Sequence, residues 1–181
     1  MWFWVEKLTP TLSPLSFHHT LTKNKPRVPV LPEDDANRSI ARGFHIDLYP
    51  ERQFHIEHEA GGWLKVLECF RSVHVRDMET IPRRLVILLI DFDSRQDRLT
   101  TANTYIPAHL RDRVFVLGAL KEPEDLKQEI GCSLESIGRR LAKDCRDGTD
   151  HLWGHHMLLH NAGEVARLRK LVRPILFNNP T

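Results

Sequence analysis

Apolar positions along this chain follow two periods, and the switch between them lays out the elements. Leu85 to Ile90 is an unbroken apolar run rich in branched residues, which predicts a strand over 85–91 covered on both faces. Gln53 to His58 alternates Phe54 and Ile56 with polar residues, as a half-buried strand does. Val28 to Leu31 reads as a short first strand weakened by Pro29 and Pro32, and Arg113 to Gly118 as a fourth. Between them lie helical patterns. Asp34 to Gly43 has acidic residues in its first turn and a glycine stop, and Gly61-Gly62 leads into an apolar helix from Trp63 to Phe70. Pro107 to Arg111 predicts a short helix, and Pro123 opens another after Glu122. Ser133 to Cys145 carries apolar residues at 134, 137, 141 and 145, one face of a helix. Residues 150–160 and 163–172 continue in helical patterns, while Ser94 to Thr104 reads as loop or broken helix. Strands alternating with helices predict an α/β fold: a four-stranded, mostly parallel sheet flanked by helices, with a helical C-terminal portion from about residue 122.

Length adds the expectation of one domain over 28–181, preceded by an extension, residues 1–27, that holds Pro10, Pro14 and Pro26 and no steady period. Charge changes the picture little. With 26 Lys plus Arg against 24 Asp plus Glu, the net of +2 is too small to announce a nucleic-acid binder by itself. Cys69, Cys132 and Cys145 are odd in number and lack CxxC spacing, which excludes a disulfide framework and predicts a cytoplasmic setting. No apolar run approaches the ~20 residues of a membrane span, so no membrane association is expected.

The candidate chemistry sits where the central apolar run meets Asp91-Phe92-Asp93. Residues two apart on a strand share a side, so these two carboxylates should project together from its carboxyl end, where open α/β sheets bind ligands. Paired carboxylates repel unless a cation, hydrogen-bond donors or water relieve them, and hard oxygen ligands suit Mg²⁺. A solvated loop start, with Asp93 as an N-cap for the next turn, is the plainer reading. A second acidic group, Glu33-Asp34-Asp35, comes after the first predicted strand. If the first and third strands are near neighbours, both groups meet at one edge.

The order VPVLPEDDANRSIARGF, then a strand ending in AGGWLKVL, then LVILLIDFD resembles the topoisomerase–primase (Toprim) domain over residues 28–128. EPEDL after the fourth strand is similar to the overcoming-lysogenization-defect nucleases, a Toprim type active in phage defence. The resemblance implies a Toprim/Rossmann-like sheet, Mg²⁺ as cofactor, nucleic acid as partner, and Glu33, Asp91 and Asp93 as metal-binding and catalytic residues. Asp34 stands where the family usually has glycine, which makes Asp34 and Asp35 alternatives to Glu33. Two other readings accompany it. One is a catalytically inactive Toprim-like module that binds nucleic acid, a partner protein or its own copy. The other is a haloacid-dehalogenase-like phosphatase, whose DxDxT pattern is broken here by Ser94-Arg95.

Several motifs carry a functional and a structural reading each. Gly61-Gly62 cradles a phosphate or makes a tight turn. Glu122, Glu124 and Asp125 hold a second metal or complement a helix N-terminus. His151/His155 and His156/His160 are i,i+4 pairs of zinc-binding spacing if the segment is helical, and His160-Asn161 reaches the acidic site as a proton shuttle or caps a helix. Arg139-Arg140, Arg167, Arg169, Lys170 and Arg173 are solvated faces or a track for a nucleic-acid backbone, and the four tryptophans read as packing residues.

Overall fold

The structure is a computed structural model, and it describes residues 27–46, 48, 53–95 and 97–177. The predicted extension lies almost wholly outside the described residues. Four strands, β1 (Val28–Pro32), β2 (Phe54–Ile56), β3 (Val86–Leu89) and β4 (Val114–Leu117), form one parallel sheet in the order β2-β1-β3-β4. The helices are α1 (Asp35–Ile46), α2 (Trp63–Cys69), α3 (Val75–Thr80), α4 (Asp97–Tyr105), α5 (Pro123–Ile130), α6 (Leu134–Asp147), α7 (Ala162–Leu171) and α8 (Arg173–Leu176). A π-helical turn, Phe70–His74, joins α2 to α3. The fold class is the expected one, an α/β sheet with a helical C-terminal part.

The pleat divides the core in two. Val28, Val30, Ile87, Phe115 and Leu117 pack on one face with Phe44 of α1, Leu126 of α5, Ile137 and Leu141 of α6, and Val165 and Leu168 of α7. Leu31, Val86, Leu88, Val114 and Val116 pack on the other with Val66 and Leu67 of α2, Met78 of α3 and Ala102 of α4. Alternate residues of one strand therefore feed opposite cores, which is why the apolar run at 85–90 shows no polar alternation.

The prolines of β1 are accommodated by register. In this strand Val30 and Pro32 turn their carbonyls toward the β2 side, to Glu57 and Ala60 N–H, while Arg27 and Glu33 bond on the β3 side, to Leu85 and Leu89. Pro29 thus turns its nitrogen toward β3, whose pairing begins only at Val30. Pro32 turns its nitrogen toward β2, whose pairing ends at Val30. Neither missing N–H falls within a paired register, though an interstrand bond still flanks each, so a proline-bearing strand sits next to the sheet's centre.

Gly43 does not stop the first helix. A β-carbon there would fall 2.0 Å from the Glu135 carbonyl oxygen, and one at Gly138 would fall 2.0 Å from the Ile40 carbonyl oxygen. The two glycines let α1 and α6 cross backbone to backbone, and α1 runs on to Ile46. Ser94 to Thr104 is also more ordered than expected, since α4 occupies 97–105. Residues 150–158 are a run of turns rather than a helix. Among the described residues no helix is long and apolar enough to cross a membrane.

Candidate functional site

The sheet order makes β1 and β3 neighbours, with Val30 beside Ile87 and Pro32 beside Leu89. The chain leaves β1 for α1 on one face and leaves β3 for α4 on the other. Past the strand ends, between helices on opposite faces, lies the switch point at which open α/β sheets bind ligands. Glu33 follows β1 and Asp91 follows β3 at this point, and the Asp91 side chain is buried.

Glu33 is fixed by its backbone. Its N–H donates to the Leu89 carbonyl at 2.9 Å, and its carbonyl accepts from Gly61 N–H at 2.7 Å and Gly62 N–H at 3.3 Å. Gly61 and Gly62 have φ of 78° and 144°, so they form a tight turn whose N–H groups serve Glu33 rather than a phosphate. The Glu33 side chain accepts the Asp91 N–H on Oε2 at 2.9 Å. Burial raises its pKa; the Asp91 and Trp63 N–H groups and the Arg98 charge work against that, while Asp34 adds to it.

Asp91 is 3% exposed. Its Oδ1 accepts from Asn37 Nδ2 at 3.0 Å, and the same amide reaches Asp34 Oδ1 at 3.1 Å. Burial drives its pKa up to about 8; the Asn37 hydrogen bond opposes the rise, and Glu33, Asp34 and Glu122 reinforce it. Asp34 is the N-cap of α1, taking the Asn37 N–H on Oδ1 at 2.8 Å. Asp35, in the first turn of α1, is exposed.

Asp93 departs from the picture of two carboxylates on one strand. β3 ends at Leu89, and Asp93 and Ser94 form a turn with φ of 45° and 56°. Arg98, only 8% exposed, donates to the Asp91 carbonyl and to the Asp93 carboxylate, and its guanidinium lies 5.1 Å over the Trp63 ring. Glu122, just before α5, faces Asp93. Burial first, then the charge and hydrogen bond of Asp93, raise its pKa, with smaller contributions from Glu124 and Asp34. Glu124 itself is exposed on the first turn of α5.

His160 packs edge-on against Phe92, with ring centroids 4.7 Å apart. Burial lowers its pKa and a hydrogen bond to the Gly118 backbone opposes the shift. Asn161 is structural: its amide donates to Gly118 O at 2.8 Å and Leu158 O at 2.9 Å and accepts from Gly118 N–H at 3.2 Å. Part of the expected basic track is structural as well. Arg167 pairs with Glu164 and donates to the Val114 carbonyl, while Glu164 takes the Val116 N–H, so this pair covers the open edge of β4. Arg169 is tied to Asp150 and to the Thr149 carbonyl.

The fold thus brings Glu33, Asp34, Asp91, Asp93 and Glu122 together at the switch point, Asp93 and Glu122 on its exposed side, while Asp35 and Glu124 are exposed on helix first turns. Two participants escaped the sequence reading, Asn37 and Arg98. Asn37 carries a faint signal as the third residue of a capped helix; Arg98 sits in a polar stretch without any.

Magnesium fits this donor set by chemistry. Four contacts, Asp91 N–H on Glu33, Asn37 on Asp91 and on Asp34, and Arg98 on Asp93, each engage one oxygen of a carboxylate that has two. The oxygens are not gathered into a cage, because no three of these acidic groups have donor atoms all within 4.8 Å of one another. Like charges hold apart when one guanidinium and a few N–H donors are all that stand among them. The fold is a parallel α/β sheet with a cluster of carboxylates at its switch point. No protein-family model, no curated protein and no solved structure matches the chain.

Proposed function

We propose that this protein is a Mg²⁺-dependent, Toprim-like enzyme that cleaves phosphodiester bonds in nucleic acid. The observation that carries the reading is Asp91, a buried carboxyl group raised to about pKa 8 among other carboxylates at the sheet's switch point. A buried acid with too few donors is unfavourable in the metal-free protein, and divalent magnesium relieves it. Asp91 would hold the ion, with Asp93 and Glu122 as the outer carboxylates and Glu33 beside it as the general acid/base. Bound there, magnesium supplies positive charge against a phosphate's developing negative charge. Glu33, oriented by the Asp91 N–H and with its proton affinity raised, moves the proton. Lys65 and Lys121 are exposed on the helix start and loop that carry the neighbouring carboxylates, where a phosphate backbone would find counter-charge.

One observation favours a second reading, an inactive Toprim-like interaction module. Arg98 already pairs with Asp93, so part of the charge that a metal would balance is balanced by the protein.

A cleavage time course in Mg²⁺, run beside a gel-shift titration in EDTA on single- and double-stranded DNA and on RNA, separates the two. The enzyme reading expects Glu33→Gln to lose cleavage by ~10²–10⁴-fold while retaining nucleic-acid binding. Binding without cleavage by the unmutated protein on every substrate supports the module. Full activity in the Gln variant removes Glu33 from the mechanism.

A further inference from the structure

A different cluster stands outside the acidic site. The i,i+4 pairing of His151 with His155 and of His156 with His160 does not form, because 150–158 is a series of turns. Instead the adjacent His155 and His156 place their rings side by side, with centroids 4.5 Å apart, facing Glu129 of α5. Glu129 Oε2 lies 2.7 Å from His156 Nε2 and 3.6 Å from His155 Nε2. Among the described residues this is the one set of three His, Cys, Asp or Glu side chains whose donor atoms all fall within 4.8 Å of one another.

We propose that Glu129, His155 and His156 form a Zn²⁺ site that ties the last turn of α5 to the 150–158 segment. Two imidazoles and a carboxylate are the donors that Zn²⁺ takes readily and Mg²⁺ does not. Bonds of ~2.0–2.1 Å in a tetrahedron set donor atoms roughly 3.4 Å apart. The His155–Glu129 spacing meets that already, and His156 must draw back by roughly 0.7 Å. The site is open on its outer side, since His156 and Glu129 are 67% and 41% exposed, which leaves the fourth position to water.

Metal-free, His156 hydrogen-bonds to Glu129, and the Met157 N–H points at His155 Nδ1 from 3.3 Å. Coordination through His155 Nε2 moves that ring's proton to Nδ1 and gives up this long contact, which makes His155 the weaker imidazole ligand. The clamp has a structural consequence. Glu129 ends the helix that begins beside Glu122, and the 150–158 segment is stitched to the exit of β4 by the Leu120 N–H to Met157 carbonyl bond of 2.9 Å. An ion here braces the far end of the helix whose start borders the acidic site. The site is independent of the acidic residues and of the activity proposed for them.

The test is a Zn²⁺ titration of the full-length, chelator-stripped chain against a chromophoric competitor, with thermal unfolding followed with and without Zn²⁺. One ion per chain should bind, and Zn²⁺ should raise the melting temperature. The His155→Asn/His156→Asn double variant should weaken that ion at least ~10-fold and lose the thermal shift, Glu129→Gln should weaken it less, and Asp91→Asn should keep it. Matching circular dichroism of the variants without metal shows that they fold; if the double variant is misfolded, Glu129→Gln alone decides. Zn²⁺ affinity and thermal shift unchanged in the folded variants, or no ion bound by the unmutated chain, would overturn the site.

Discussion

Asp91 and Asp144 touch solvent equally little, each 3% exposed, but Asp91 lies deeper among protein atoms, and they are opposite kinds of acid. For Asp144 burial also pushes the pKa up, but three donors overcome it. Leu152 N–H reaches Oδ2 at 2.6 Å, Thr149 Oγ1 donates to Oδ1 at 2.7 Å, and Trp153 N–H reaches Oδ2 at 3.3 Å, so the carboxyl lies below its usual range. Asp91 has one side-chain donor, Asn37, and faces Glu33, Asp34 and Glu122, so it lies far above. Low exposure alone does not say what a carboxylate is for; its depth and the balance of donors against like charges do. Asp144 is the knot that ties the turns at 149–153 to the end of α6. Asp91 is held in a state that its own fold does not relieve, as functional sites often are.

The sharpest way to break this contrast is to remove the knot. Asp144→Ala orphans two backbone N–H groups and the Thr149 hydroxyl, and should cost ~3 kcal/mol or more in urea unfolding. A loss below ~1 kcal/mol would mean that water replaces the carboxylate and that the knot is ornamental.

Asp91→Asn should act in the other direction. A carboxyl raised from 3.8 to about 8 binds more protons folded than unfolded between those values, so its contribution to stability is full below about pH 4 and is lost as pH rises through about 8. Asp144, whose pKa is lowered, contributes above about pH 4 and loses its contribution as pH falls below that. Asp91's contribution in the metal-free protein should therefore fall from pH 5 to pH 9. Asp91→Asn should flatten that slope and gain ~2 kcal/mol at pH 8.5. Mg²⁺ at a hundred times its dissociation constant should stabilise the unmutated protein by ~2.7 kcal/mol and leave the variant unmoved. A slope unchanged in the Asn variant would show that Asp91 is not the group that titrates.

The smallest expected effect comes from Arg98, which offsets the acidic site's charge without removing it. Arg98→Met keeps packing on Trp63 but releases Asp93 and the Asp91 carbonyl, at a cost of ~1–2 kcal/mol without metal. Magnesium affinity measured by calorimetry should rise in this variant if Arg98 competes with the ion, and fall if it only positions Asp93.

What could be read from the amino-acid sequence alone was the periodic part of the molecule. The doubly covered strand at 85–90, the helix face at 134, 137, 141 and 145, and the acidic starts of α1 and α5 report local geometry, and a residue's period is a local property. The same reading reached Glu33 and the Asp91–Asp93 pair, because strand ends are where a parallel sheet concentrates polar groups. Tertiary structure decided the rest. Pro29 and Pro32 read as strand breakers until the register placed their nitrogens beyond each ladder's end, and Gly43 read as a helix stop until α6 crossed over it. Asp91 and Asp93 look alike in sequence, yet Asp91 is buried among carboxylates and Asp93 turns outward to Arg98. The joining of His155 and His156 to Glu129 depends on a turn whose residues have a helical pattern. Each of these outcomes is set by which distant backbone or charge comes within a few ångströms, and that distance is not written in the spacing of residues along a chain.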